Sequence, residues 1–383
     1  MIGPADFSED ALLVEIVAWA SVESPTFAPE AVGRMQAVAA RRLRALGFAI
    51  EEVPGRDGLA GHLVARRAGE GPGLLVVGHL DTVHPVGTLA GGLPVRREGD
   101  RLHAPGAYDM KAGIVMMLAA LEAAFAAGAR QPVTVLLNSD EEVGSPTSRD
   151  LVEREARAHA HVLLPEPAFG PRGEVTTGRF AFQRFAVTTR GRPAHSGWTN
   201  AEGRSAIRAM AQLIEELESR SDFERGPTYA VGVVHGGAWV NCVPVEARAE
   251  ALCVSRDAAG FAEVQAVLAA LDGERAGVRI EVMPGPVRPA WDGGEGTGRL
   301  HARAQAIAHD LGFDLPGARH GGGSDGNFTG ALGIPTLDGL GAMGHGAHTL
   351  DEHVLVSSVV PRTALLARLL LELGRGTPSA PSR

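Results

Sequence analysis

The chain has 383 residues, with 36 Lys plus Arg against 45 Asp plus Glu and a formal net charge of -9. This length exceeds one average domain, so we expect two. The mildly acidic balance gives no electrostatic reason for binding nucleic acid or an anionic membrane. No run approaches ~18 consecutive apolar residues, and the first residues lack the basic start and apolar core of a secretory signal, so a cytoplasmic location is predicted. Two cysteines, Cys242 and Cys253, are too few for a disulfide framework and are expected to be reduced.

The first third of the chain has the pattern of an α/β domain. Amphipathic helices are predicted from Ser8 and over 29–46, followed by strands at 48–53, 59–65 and 74–79. The last of these strands is apolar without alternation, as expected where both faces of a sheet are covered. It ends in His79-Leu80-Asp81, whose two polar side chains point to the same side of an extended chain. This spacing suits a metal-ligating imidazole oriented by a carboxylate, although a plain polar strand end has the same pattern.

Carboxylates lie next to several of the following predicted elements. Asp109 precedes a helix predicted over 114–125, where by itself it would be an N-cap. The strand 133–137 leads to Asp140-Glu141-Glu142-Val143-Gly144-Ser145, in which three adjacent anions repel one another. They require a cation or hydrogen bonds unless they form a solvated acidic turn. A helix at 149–157 and a strand at 161–164 then lead to Glu166. No role for Asp140 is predicted.

The pattern changes from about residue 178. Strands at 180–190, 229–235, 245–256 and 278–283 and helices at 201–217 and 261–271 give the order β-α-β-β-α-β. In the segment 245–256, apolar and charged residues alternate, so one face is expected to be solvated and the strand antiparallel. This is the order of a split ferredoxin-like unit, inserted into the larger α/β domain.

The α/β pattern returns after residue 287. Helices are predicted at 300–311 and 359–373 and a strand at 335–337, with His348 in the loop before the last helix. The glycine-rich run 321–326 could suggest a nucleotide-binding protein, but it has no Walker lysine-serine pair and does not lie between a strand and a helix in the required order. The final residues, 375–383, have the composition of a disordered tail.

Six polar residues follow predicted strands or lie in loops of the larger domain: His79, Asp109, Glu141, Glu142, Glu166 and His348. Imidazole and carboxylate together form a ligand set suited to zinc, cobalt or manganese. Two ions roughly 3.5 to 4 Å apart could share a bridging carboxylate. Adjacent glutamates cannot easily bind the same ion side by side. One of them is therefore available to take a proton from the attacking water and to pass it to a leaving amine.

These motifs jointly resemble the M20 metallopeptidases, most closely the glutamate carboxypeptidase (carboxypeptidase G2-like) branch. The resemblance covers nearly the whole chain in order, and its motifs are His79-Leu80-Asp81-Thr82-Val83, Tyr108-Asp109-Met110-Lys111, Asp140 to Ser145, Glu166-Pro167, and His348 with Asp351-Glu352. It implies an α/β fold, a mixed-sheet di-zinc peptidase catalytic domain with an inserted ferredoxin-like α+β lid or dimerisation domain. The implied division is 1–177 and 288–374 for the catalytic domain, 178–287 for the insert and 375–383 for the tail.

The resemblance also implies roles for individual residues. The implied cofactor is a pair of Zn²⁺ ions, with Co²⁺ or Mn²⁺ as alternatives. His79 and Glu166 are the implied ligands of one ion, and Glu142 and His348 are those of the other. Asp109 is the implied bridging carboxylate between the two ions. Glu141 is then the general acid/base, and Asp81 occupies the position of a carboxylate behind the ligands. The family often has a cis peptide at the Asp-Met step, here Asp109-Met110.

Three residues of and beside the insert match further family motifs. Gly191 to Gly197 implies that His195, commonly supplied by the partner subunit of a homodimer, helps to stabilise the oxyanion. Val240-Asn241-Cys242-Val243-Pro244 implies that Asn241 contacts substrate. Arg288 could grip a substrate carboxylate, since a guanidinium offers paired donors. For Arg288 and Asn241 the alternative is a hinge or turn role.

The sequence therefore predicts a di-zinc hydrolase that cleaves an amide bond and releases an amino acid, such as a C-terminal glutamate, from an N-acyl, peptide or folate-like substrate. The alternative within the same chemistry is a deacylase acting on N-acetyl or N-succinyl amino acids. A non-catalytic scaffold of the same fold would typically have lost ligands or the base, and none is lost here. The expected partners are a small substrate and a second copy of the chain, with no nucleic acid and no membrane.

Overall fold

The computed structural model describes residues 2–374, so the predicted disordered tail lies outside the described residues. Within that range the chain divides into two compact units. The first comprises the chain up to Gly178, Gly293–Arg319 and the chain from Ser324, and the second comprises Arg179–Asp292 and His320–Gly323. The chain therefore leaves the first unit, forms the second and returns.

The part of the chain up to Gly178 forms a series of helices and short strands. Their bounds are α1 Glu9–Ala20, α2 Pro29–Ala45, β1 Ala49–Val53, β2 His62–Arg67, β3 Leu74–His79, β4 Arg96–Glu98, β5 Arg101–His103, α3 Ala112–Ala126, β6 Val133–Asn138, α4 Arg149–Arg157, β7 His161–Leu163 and β8 Val175–Arg179. β3 and β6 are buried along their whole length, and for β3 the apolar sequence without alternation predicted this. α3 is apolar on nearly every face, which suits a helix enclosed by other elements.

The second unit contains antiparallel strands and two longer helices. Their bounds are β9 Ala181–Arg190, α5 Ala206–Glu218, β10 Thr228–Gly236, β11 Glu246–Ser255, α6 Ala258–Leu271, β12 Gly273–Arg275 and β13 Val278–Arg288. The strand order is β10-β11-β9-β13-β12. β11 alternates between exposed and buried positions, as predicted, and its buried face packs with α5 and α6 in one apolar core. α5 begins later than predicted because Ser205 caps it, accepting a hydrogen bond from the Arg208 N–H.

The remaining elements return to the first unit. Their bounds are α7 Glu295–Asp310, β14 Gly317–His320, α8 Gly326–Ala331, β15 Thr336–Leu337, β16 Gly344–His345, β17 His353–Leu355 and α9 Val356–Gly374. The main sheet of this unit has the order β1-β2-β6-β3-β7-β15. β1, β2 and β6 pair antiparallel, whereas β6, β3, β7 and β15 pair parallel. The predicted mixed sheet of an α/β fold is thus confirmed.

The arrangement of the main sheet positions the candidate site. β3, β6 and β7 run parallel, so their carboxyl ends lie at one edge, where open α/β sheets collect ligands. Apolar side chains cover both faces, with α3 and α9 in one cluster and α4 and α8 in the other. A separate sheet of the order β16-β17-β5-β4, which the sequence did not reveal, carries the loop after β16. Among the described residues, no helix is long and apolar enough to cross a bilayer.

Candidate metal centre

His79 lies at the carboxyl end of β3 and is almost completely buried. Its Nδ1 donates to the backbone carbonyl oxygen of Asp81 at 2.9 Å. A carbonyl only accepts, so this contact orients the ring and directs Nε2 to the opposite side. There Nε2 lies 3.1 Å from Oδ1 of Asp109 and 3.9 Å from Oε2 of Glu166.

Asp109 connects two histidines that are far apart in sequence. Its Oδ1 faces His79, while its Oδ2 lies 3.3 Å from Nε2 of His348. The same His348 nitrogen lies 3.0 Å from Oε2 of Glu142. Asp109 precedes α3 but does not cap it, because both of its oxygens are turned toward these imidazoles. The peptide bond between Asp109 and Met110 is cis, as the family resemblance implied.

The electrostatics of this cluster reflect a concentration of negative charge. Burial opposes protonation of His79, but hydrogen bonds to Asp109 and Asp81 raise its pKa well above the usual value. Hydrogen bonds to Asp109 and Glu142 raise the pKa of His348 to about 10. Burial, together with the nearby charges of Asp109 and Glu141, raises the pKa of Glu166 well above its usual value. The carboxylates thus hold protons on the imidazoles, which indicates that the site favours positive charge.

The donor set fits a pair of metal ions. One ligand atom each from His79, Asp109 and Glu142 lie within 4.8 Å of one another. Ligand atoms around one tetrahedral Zn²⁺ are separated by roughly 3.3 Å, given metal–ligand distances of about 2.0 to 2.2 Å. The contacts of Asp109, Glu142 and His348 at 3.0 to 3.3 Å match this separation. Because each oxygen of Asp109 faces a different histidine, the geometry suits a carboxylate shared by two ions.

Asp81 supports the two glutamates from behind. It is 1% exposed, and its Oδ1 and Oδ2 accept from the backbone N–H groups of Glu141 and Glu142, each at 3.3 Å. Thr26 donates its hydroxyl to the same carboxylate at 2.8 Å. Asp81 therefore orients both the ring of His79 and the turn that carries the adjacent glutamates.

Asp140, for which the sequence predicted no role, holds the following loop in place. Its buried carboxylate accepts from the backbone N–H and hydroxyl of Thr147 at 2.6 and 2.7 Å. It also accepts from the N–H and hydroxyl of Ser148 at 3.2 and 2.5 Å. These four hydrogen bonds stabilise the buried charge of Asp140 without a cation, and they fix the loop between Glu142 and α4.

Glu352 is a supporting residue for which the sequence predicted no role. It is 1% exposed, and its Oε1 accepts from the backbone N–H groups of Tyr108 and Asp109 at 2.9 and 3.0 Å. Its Oε2 accepts from Gly106 N–H at 3.0 Å and contacts His84 Nε2 at 2.6 Å. The segment around Asp109 is thus held by a carboxylate that lies four residues after His348.

The glycine-rich loop has a structural function that involves the same region. Oδ1 of Asp325 accepts from the Ser145 hydroxyl at 2.5 Å, and its Oδ2 accepts from Asn138 Nδ2 at 2.5 Å. Ser324 donates its hydroxyl to Asp338 at 2.6 Å. The contacts of Asp325 tie the loop to the end of β6 and to the turn that follows it, and the contact of Ser324 ties the loop to Asp338.

The second unit brings two of its predicted site residues together. Ser196 N–H donates to the Asn241 carbonyl oxygen at 3.0 Å, and His195 pairs with Cys242 across an isolated bridge. Both His195 and Asn241 are exposed, and the His195 ring accepts from Gly197 N–H at 3.2 Å. Arg288, in contrast, is 1% exposed, with its guanidinium carbon 6.0 Å from the centre of the Phe182 ring.

Comparisons with known proteins identify the family of the chain. The profile of Peptidase family M20/M25/M40 matches residues 75–372. Carboxypeptidase G2 of Pseudomonas sp. (strain RS-16) is 30% identical over 344 residues, covering 87% of this chain and 82% of that protein. Succinyl-diaminopimelate desuccinylase of Delftia acidovorans (strain DSM 14801 / SPH-1) is 28% identical over 388 residues, covering 92% of this chain and 96% of that protein.

Among solved structures, the fold is similar to that of the YXEP protein of Bacillus subtilis, described as a dinuclear metal binding peptidase from the M20 family. The TM-score is 0.68 at 16% sequence identity, and the similarity covers 96% of this chain and 98% of that one. The family profile alone covers more than half of the chain. The chain therefore belongs to the M20/M25/M40 family and is a metal-dependent hydrolase of the peptidase class, as its motifs predicted.

Proposed function

We propose that the protein is a di-zinc exopeptidase that releases a C-terminal amino acid, such as glutamate, from N-acyl, peptide or folate-like substrates. One observation supports the proposal most directly. The two oxygens of Asp109 each lie beside a different histidine, and Glu142, from the turn that also contains Glu141, contacts one of these histidines. The proposed ligands are those of the motif assignment: His79 and Glu166, Glu142 and His348, and Asp109 between them. When bound, the ions would polarise the scissile carbonyl and lower the pKa of the attacking water.

The residues of the chain then have distinct tasks. Glu141 takes the proton of the attacking water and delivers it to the leaving amine nitrogen. Asp81 keeps Glu141 in reach by binding its backbone N–H. His195 donates to the developing oxyanion, and in the proposed homodimer it comes from the inserted domain of the partner subunit. Asn241 contacts the substrate, and the guanidinium of Arg288 pairs with the substrate carboxylate once a rearrangement uncovers this side chain, which is 1% exposed in the structure.

Neighbouring substitutions test this division of tasks. Glu141→Gln should lower kcat by about 10² to 10⁴ while zinc content is retained. Glu142→Gln should instead lower the zinc content, because it removes a ligand. Zinc is measured by elemental analysis and turnover on an acyl-glutamate. If Glu141→Gln retained turnover within about tenfold of wild type, the acid/base assignment would be wrong.

A second candidate function is deacylation of an N-succinyl or N-acetyl amino acid. It is supported by the 28% identity to a succinyl-diaminopimelate desuccinylase over 92% of the chain. A panel of acyl-glutamates, dipeptides and folates, compared with N-succinyl-diaminopimelate and N-acetylornithine, separates the two candidates by kcat/KM. A preference for the second group would replace the carboxypeptidase proposal and leave the metal centre unaffected, because substrate choice depends on the pocket.

A further inference from the structure

Three histidines and an arginine form a row across the β16-β17-β5-β4 sheet. His345 lies opposite His353, His353 opposite His103, and His103 opposite Arg96. Residues that face each other across paired strands share a face of the sheet, so this row brings imidazoles side by side. The next positions along the two central strands, Leu102 and Val354, are apolar and belong to the core.

Two of these histidines are buried although neither belongs to the Asp109 centre. His103 is 1% exposed and His353 4% exposed, and their ring centres are 4.9 Å apart. His103 Nε2 has no hydrogen-bond partner among the described residues, and the nearest carboxylate oxygen, from Glu98, lies 3.7 Å away.

The hydrogen bonds indicate which nitrogens are available as ligands. His353 Nδ1 contacts the Asp351 carbonyl oxygen at 2.7 Å and therefore donates, which leaves Nε2 with its lone pair. His103 Nδ1 lies 3.3 Å from Arg96 Nη2, which can only donate, so Nδ1 carries the lone pair. The same Nδ1 lies 3.8 Å from Oδ1 of Asp351. Each ring thus has one nitrogen with a lone pair, and the ring of His353 is also oriented by the hydrogen bond that its other nitrogen donates.

A carboxylate completes the set. One ligand atom each from His103, Asp351 and His353 lie within 4.8 Å of one another. We infer that these three residues form a metal site, separate from the Asp109 centre, that takes one divalent transition-metal ion such as Zn²⁺. Two imidazoles and a carboxylate with an open position are a common zinc ligand set. The hydrogen bond from His353 Nδ1 to a carbonyl oxygen is the supporting interaction that a metal-ligating histidine uses.

Arg96 opposes binding at this site and controls access to it. Its Nη2 donates a hydrogen bond to the lone pair of His103 Nδ1, and its Nε is paired with Glu98 at 2.7 Å. The side chain is 36% exposed, so it can turn to solvent when an ion binds. Because a guanidinium and a metal ion both carry positive charge, removal of Arg96 should strengthen binding.

Occupation of the site would act on the loop that supports the Asp109 centre. Glu352 lies between the two proposed ligands Asp351 and His353, and its carboxylate holds the backbone of Tyr108 and Asp109. A single ion held by the residues directly before and after Glu352 would restrict that loop. The site is therefore a structural one that stabilises the segment between His348 and β17.

Zinc binding by the full-length protein, stripped with a chelator and dialysed against graded free Zn²⁺, tests the inference. Wild type should hold one more ion per chain than Asp351→Asn at intermediate Zn²⁺, since loss of a ligand costs about tenfold or more in affinity. Asp351 is 64% exposed, so this variant is expected to fold. Asp314→Asn, which removes another exposed carboxylate of the same unit, is the matched control and should bind as wild type does.

Two further variants locate the ion. His79→Gln/His348→Gln, which removes ligands of the proposed di-zinc centre, should retain the additional ion, so failure of the proposed function and failure of this site are distinguishable. Arg96→Ala should bind it several-fold more tightly. The inference is overturned if wild type and Asp351→Asn give the same zinc isotherm, or if anomalous scattering at the zinc edge gives no peak beside His103 and His353.

Discussion

Replacement of Glu352 by glutamine tests whether the buried carboxylate positions the segment of Asp109. The glutamate accepts three backbone N–H groups and contacts His84. Glutamine has one accepting oxygen, so its NH₂ group must face some of these donors. The less costly orientation directs the NH₂ group toward Gly106 and His84, because the imidazole can accept in its other tautomer while only the Gly106 N–H loses its partner.

The magnitude follows from these contacts. One hydrogen bond to a charged acceptor is lost, at about 1.5 to 3 kcal/mol, and three others become neutral and weaken by about 1 kcal/mol each. No discount for solvent applies, because Glu352 is 1% exposed. We therefore expect Glu352→Gln to lower the free energy of unfolding by about 4.5 to 6 kcal/mol. Displacement of Asp109 should also weaken zinc binding by about 10- to 100-fold.

Urea unfolding of the chelator-treated protein measures the first effect, and competition with a chromophoric chelator measures the second. Glu372→Gln, at an exposed position of α9, is the control and should remain within about 0.5 kcal/mol of wild type. A loss below about 1 kcal/mol for Glu352→Gln, with unchanged zinc affinity, would refute the reasoning that this carboxylate holds the loop.

Three other predictions use separate parts of the fold. Asp140→Ala should cost about 2 to 6 kcal/mol in urea unfolding because it leaves two buried backbone amides unpaired, whereas Asp140→Asn should cost less than half as much. Burial raises the pKa of Cys253 to about 12, so mass mapping after alkylation of the native protein near pH 8 should find Cys242 labelled and Cys253 labelled only after unfolding. The paired hydrogen bonds from Arg66 lower the pKa of Glu155 below its usual 4.5. A lowered pKa contributes stability above the unfolded value that is lost as the pH falls through the folded one. Glu155→Gln should therefore cost about 1 kcal/mol at pH 7, with Arg66 43% exposed, and progressively less as the pH falls below 4.5; a cost that does not fall with pH would contradict this.

Much of the fold followed from local pattern. An apolar run without alternation identified β3 as a buried strand, and alternation identified β11 as a strand with one exposed face. The short strands β4, β5, β16 and β17 were not predicted. They have two or three residues each, too few for any periodicity to be recognised. The small sheet was therefore missed, although it carries both Glu352 and the histidine row.

For the polar residues too, some features could be predicted from the sequence and others depended on the tertiary structure. The sequence by itself determined which residue types follow the ends of the parallel strands, and from these the family and the candidate ligands could be recognised. Only the tertiary structure decided their partners, because a hydrogen bond or a shared ion depends on which distant segments the fold brings within 3 to 4 Å. Asp140 and Glu141 are adjacent carboxylates of similar chemistry. One is turned inward to bind the loop of Thr147 and Ser148, whereas the N–H of the other is held by Asp81 beside the candidate metal centre.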